Sequence, residues 1–94
     1  MKHNYEITVE ELNNLEKDDY VLVDIRDEQT YLYGFIPGAI NITREDLEQG
    51  KGELPADKKV VLYCTRGIFS KEAAQHLAEK GYDCNSLSGG YGEW

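Results

Sequence analysis

Two cysteines, two prolines and one methionine in 94 residues, with no apolar run longer than a few residues, exclude several classes of protein. Cys64 and Cys84 are too few for a disulfide framework and lack the paired spacing of a zinc site. The apolar runs fall far short of the roughly 20 residues that span a bilayer. Met1-Lys2-His3-Asn4-Tyr5-Glu6 offers no apolar segment of the kind a signal peptide needs. The expected setting is therefore the cytoplasm, with both cysteines as thiols. Positive charge is also scarce. Ten Lys and Arg stand against eighteen Asp and Glu, a net charge of −8, which argues against nucleic acid or an anionic membrane as partner. The imbalance lies in residues 1–53, with thirteen acids and five bases; residues 54–94 carry five of each.

What remains is a chain long enough for one domain, 1–94, and hydrophobic enough (40%) to build a small core. Asn4 to Ile7 fits a short edge strand. Thr8-Val9-Glu10-Glu11 is a capping-box pattern, and Val9, Leu12 and Leu15 at helical spacing predict a helix from Val9 to Glu16. Tyr20-Val21-Leu22-Val23-Asp24-Ile25 and Lys59-Val60-Val61-Leu62-Tyr63-Cys64 are continuous apolar runs, the pattern of strands covered on both faces of a parallel sheet. A short helix is expected from Arg26-Asp27-Glu28 through Tyr33, stopped by Gly34 in the manner of a glycine cap. Phe35-Ile36-Pro37-Gly38 reads as a turn. Ala39 to Ile42 fits a strand, and Thr43 to Gln49 one or two helical turns. A helix is expected from about Ser70 to Lys80, then a last strand from Asp83 to Leu87 and a glycine-rich tail carrying Tyr91 and Trp94. Strands alternating with helices imply an α/β fold, a central parallel β-sheet flanked by helices on both faces.

The chemistry is expected at Cys64-Thr65-Arg66-Gly67-Ile68-Phe69-Ser70, between the carboxyl end of a buried strand and a helix start. Ligands bind at that edge of open α/β sheets. Backbone N–H groups converging there favour an anion, and a cysteine so placed has its pKa lowered from about 8.5. The bland alternative is a small buried hydrophobe. No base can be paired with it: His76 is expected on the helix surface and His3 near the terminus, so transfer chemistry on a cradled thiolate fits better than a Cys–His protease. Asp24 and Arg26 are most simply a hydrogen-bonded brace at a strand end. Cys84 is expected to be buried and inert, with a second use as a resolving thiol for Cys64 left open.

Four segments in order, Val23-Asp24-Ile25-Arg26, Gly34 to Ile42, Tyr63-Cys64-Thr65-Arg66-Gly67 and Gly89-Gly90-Tyr91-Gly92-Glu93-Trp94, resemble the rhodanese family over nearly the whole chain. The resemblance implies a single small rhodanese-like domain and a sulfurtransferase without cofactor or metal. Its Cys64 would take a sulfane sulfur from thiosulfate or another persulfide donor, small molecule or protein-borne, and pass it to a thiol or cyanide. Thr65, Arg66, Gly67, Ile68 and Phe69 match the loop whose amides cradle the persulfide. Many members carry a basic residue where this chain has Phe69, and a His where it has Phe35. The first change implies weaker hold on doubly negative thiosulfate, partly offset by Arg66, and an apolar rim of Ile68 and Phe69 suited to a persulfide donor. Two other readings compete. A non-catalytic rhodanese-like binding module is disfavoured by retention of Cys64. A cysteine-dependent phosphatase needs Arg six residues after the nucleophile, where this chain has Ser70.

Overall fold

The computed structural model describes residues 5–94; His3 and the Asn4 end of the first expected strand lie outside the described residues. Five strands form one sheet: β1 (Glu6–Ile7), β2 (Tyr20–Asp24), β3 (Ile40–Asn41), β4 (Lys59–Tyr63) and β5 (Cys84–Leu87), in the order β1-β5-β4-β2-β3. Every pairing is parallel, with Val23 opposite Leu62 and Val60 opposite Cys84. The four connections between strands carry α1 (Val9–Asn13), α2 (Glu28–Tyr33), α3 (Arg44–Glu48) and α4 (Ile68–Glu79).

The continuous apolar runs are explained by two cores, one on each face. Val23, Ile25, Val60, Leu62 and Cys64 point to one side, where Leu47 of α3 and Ala74 and Leu77 of α4 close over them. Leu22, Val61 and Tyr63 point to the other, against Leu12 of α1, Ile36 and Leu87. Alternation is present along each strand, but both sets of side chains are buried, so it leaves no polar stripe.

Several boundaries differ from expectation. The first helix ends at Asn13 because the Asn14 and Leu15 N–H groups turn back to the Glu11 and Leu12 carbonyls, and Lys17–Asp19 forms a separate 3₁₀ turn. Gly34 closes α2 with φ 174°, which is extended backbone, not a left-handed cap. Its lack of a side chain matters for space: a Cβ there would lie 2.9 Å from Tyr91 Oη. The helix after the cysteine loop begins at Ile68, two residues early, since Gly67 (φ 83°) serves as its N-cap without any side-chain cap bond of its own.

β4 is the central strand. The chain leaves β2 toward β3 on one side, and leaves β4 toward β5 on the other. Between the carboxyl ends of these two neighbours the connections part to opposite faces, which opens a crevice there.

Candidate active site

That crevice is a cavity of about 430 Å³ lined by Ile25, Arg26, Asp27 and Thr30 after β2, by Cys64, Thr65, Arg66, Ile68 and Phe69 after β4, and by Arg44 at the start of α3. Cys64 is 6% exposed, at the floor of an open pocket. Its Sγ accepts the amide N–H of Gly67 at 3.2 Å and that of Ser70 at 3.4 Å. Ser70 Oγ lies 3.4 Å from Sγ and 2.6 Å from Ser86 Oγ, so the hydroxyl that donates to a thiolate accepts from Ser86 behind it. The sulfur thus does for α4 what a capping side chain does, satisfying first-turn N–H groups that the helix itself leaves open. Burial alone would push the Cys64 thiol up. Hydrogen bonds from the Ser70 hydroxyl and from the Ser70, Gly67 and Arg66 amides outweigh it, and the net shift is downward.

Two glycines let this loop close. Gly67 and Gly90 both have positive φ, and a Cβ on Gly90 would sit 2.7 Å from the Gly67 amide nitrogen and against the Cys64 carbonyl. The tail therefore lies flat against the loop. Tyr91 and Gly92 donate their N–H groups to the Cys64 and Thr65 carbonyls at 2.8 and 3.2 Å. Nothing local in the glycine-rich tail announces these backbone hydrogen bonds to the cysteine loop.

Asp24 and Arg26 form the expected brace. Asp24 is fully buried, and its carboxylate accepts Arg26 Nη2 at 2.7 Å and Nε at 3.0 Å. Arg26 also donates to the Gly34 carbonyl at 2.6 Å and lies over the Tyr91 ring at 4.4 Å. The pair joins the loop after β2 to the tail and is consumed in doing so.

Of the five loop residues expected beside Cys64, Gly67 and Arg66 turn their amides toward the sulfur, while the side chains of Thr65, Arg66, Ile68 and Phe69 form the exposed wall. Ser70, the last residue of the expected segment, and Ser86, which lies outside it, complete the sulfur's surroundings. Cys84 is 3% exposed and opposite Val60, four residues before Cys64 on β4. At about 3.3 Å per residue the two thiols are separated by some 13 Å along the sheet, beyond the reach of a disulfide. The resolving role is excluded in this conformation. His76 lines a separate groove of about 200 Å³ between α3 and α4, eight residues into α4 from Ile68.

A cysteine at the focus of amide N–H groups, on a strand-to-helix loop at the carboxyl edge of a parallel sheet, defines a class of α/β proteins built to hold a sulfur or oxygen anion. Within that class, the chain belongs to the family of rhodanese-like domains, matched over residues 8–94. It is 42% identical over 74 residues, 78% of this chain and 73% of the relative, to the thiosulfate sulfurtransferase GlpE of Shewanella oneidensis. The human single domain sulfurtransferase TSTD1 is similar in structure, with TM-score 0.83 and 27% identity over 98% of this chain and 96% of that one. A rhodanese homologue from Thermus thermophilus has TM-score 0.79 and 29% identity over 95% and 99%. No helix among the described residues is long and apolar enough to cross a membrane.

Proposed function

We propose that this chain is a sulfurtransferase of the thiosulfate sulfurtransferase kind, working through a persulfide on Cys64 within one rhodanese-like domain over residues 1–94. The Cys64 thiolate attacks the outer sulfur of thiosulfate. The S–S bond breaks, its electron pair leaves with sulfite, and Cys64 carries the transferred sulfur as a persulfide anion. A thiolate or cyanide then attacks that outer sulfur, and the Cys64 thiolate is released with the electron pair of the broken bond. This is covalent catalysis in two half-reactions, with ping-pong kinetics. The loop amides stabilise sulfur anions at each stage without reorganising. The setting proposed is the cytoplasm, where both cysteines stay reduced, and the partners are a small-molecule or protein-borne sulfur donor and a thiol acceptor.

The observation that carries this reading is the pair of N–H groups from Gly67 and Ser70 on a sulfur that faces an open cavity. Likeness to a thiosulfate sulfurtransferase supports it independently. Phosphate-ester hydrolysis is disfavoured: Ser70, where a phosphatase needs its arginine, is buried and bonded to Sγ. Intact mass after incubation with thiosulfate is the test. The protein should gain one sulfur, lose it on addition of cyanide, and fail to gain it as Cys64→Ser. No adduct from thiosulfate or any hydropersulfide would leave a binding module.

A further inference from the structure

The cavity beside Cys64 has to receive a doubly negative donor on a chain of net charge −8. Amide dipoles hold the sulfur, but the oxygens of such a donor need a full positive charge in a fixed place. Three arginines line the cavity, opposed by the carboxylate of Asp27. Arg26 is committed to Asp24 at 2.7 Å. Arg66 is exposed on the loop and has no ion-pair partner among the described residues, so its charge rides on a free stem. Arg44 differs from both.

Arg44 comes from α3, on the other side of the cavity. Its backbone N–H donates to the Ile25 carbonyl at 2.9 Å, which fixes its Cα beside the carboxyl end of β2. Its guanidinium lies 4.4 Å over the Phe69 ring. Glu72 approaches Nη2 at 3.6 Å and Glu48 approaches Nε at 3.9 Å, both long contacts in solvent. Exposed pairs of that kind hold little, and they leave Nη1 uncommitted. The result is a planar, oriented cation on the cavity wall: Nη1 has no partner among the described residues, and the long Glu72 contact at Nη2 yields to an oxyanion that takes Nη1 and Nη2 through two parallel hydrogen bonds.

We propose that Arg44, seated on Phe69, is the residue of this site that recognises the oxyanion end of the sulfur donor. This deepens the sulfurtransferase reading and rests on it for the identity of the donor. Arg44 binds the sulfonate oxygens of thiosulfate while Cys64 attacks the outer sulfur, and it still faces those oxygens when they leave as sulfite. Phe69 holds the guanidinium flat, so the ring contributes through Arg44.

Two measurements test this together. In turnover, Arg44→Gln should raise KM for thiosulfate about tenfold and leave KM for the hydropersulfide of an uncharged alkyl thiol unchanged. Arg44→Lys should recover part of the loss, since charge returns without the planar fork. Phe69→Leu should give a smaller rise, and the Arg44→Gln effect should shrink in its presence. In equilibrium binding of thiosulfate to the Cys64→Ser protein, adding Arg44→Gln should weaken Kd by a similar factor. Equal effects on both donors, an unchanged Kd, or a larger effect from Arg66→Gln would each overturn the proposal. A weakened Kd with no sulfur loading from any donor would instead remove the sulfurtransferase reading and leave Arg44 as an anion-binding residue.

Discussion

Cys64 and Cys84 belong to the same buried cluster on the same face of the sheet, yet they are shifted in opposite directions. Both lose water. What differs is what replaces it. Cys64 lies where a strand hands over to a helix, and amides of that first turn plus a serine hydroxyl point at its sulfur. Cys84 opens a strand in mid-sheet, where the backbone amides are consumed by pairing with β4. Burial and the adjacent Asp83 carboxylate push its thiol up to about 12, with Lys59 offsetting only part of this. Reactivity in this fold is thus a property of position at the carboxyl edge, and burial by itself opposes it.

The largest consequence is chemical selectivity. Iodoacetamide at pH 7 should alkylate Cys64 on the order of a thousandfold faster than Cys84, because thiolate is the nucleophile and only one site both stabilises and exposes it. Peptide mass mapping over time gives both rates. The Cys64 rate should reach its plateau at a lower pH than the rate of an unperturbed thiol does, since its pKa is shifted downward. Comparable rates, or modification of Cys84 first, would reverse the comparison.

A smaller effect follows from removing one donor. Ser70→Ala deletes the hydroxyl at 3.4 Å from Sγ, so the thiol pKa should rise and alkylation at pH 7 should slow roughly tenfold, at the mild end of what losing an anion-hole donor does. The substitution also strands the Ser86 hydroxyl, which is fully buried and pairs with Ser70 at 2.6 Å. A stability loss of about 1–3 kcal/mol in urea is expected alongside. Slowed alkylation with an unchanged pH profile would show that the hydroxyl only positions the loop.

The same contrast shows how far the sequence could be read. Apolar runs such as Val21–Val23 and Val60–Leu62 announce strands covered on both faces, because in a parallel sheet no residue set has to meet water. Cys64 and its loop were legible for the same reason: a strand end, a glycine and a helix start are local features. The brace of Asp24 and Arg26 is local too. Gly90 was not legible as a partner of the loop, since its lack of a Cβ matters only against backbone more than twenty residues away. Nor was Arg44. Phe69 by itself read as a missing charge and an apolar rim, and only folding brings a guanidinium from α3 over that ring. Ser70 and Ser86 pass as unremarkable until their 2.6 Å contact closes the chain of hydroxyls behind the sulfur.

The smallest expected effect tests Cys84 through stability instead of chemistry. Its folded pKa is raised to about 12, above the ordinary thiol value of about 8.5 in the unfolded chain. Below pH 8.5 both states keep the proton, and the contribution to stability is whole. As pH climbs, the unfolded chain ionises while the folded one does not, so the unfolded state binds fewer protons and stability falls until the folded thiol titrates near pH 12. Cys64, shifted downward, acts in the opposite sense: its contribution is present above the unfolded pKa and fades as pH falls through the folded one. Cys84→Val keeps an apolar side chain in β5 and has no proton to lose. Urea midpoints followed from pH 8 to pH 10.5 should therefore decline less steeply in Cys84→Val than in the parent. Parallel decline in the two would mean that the Cys84 thiol keeps an ordinary pKa, and the amides around Cys64 would then be lowering its pKa against a weaker opposing burial than the structure implies.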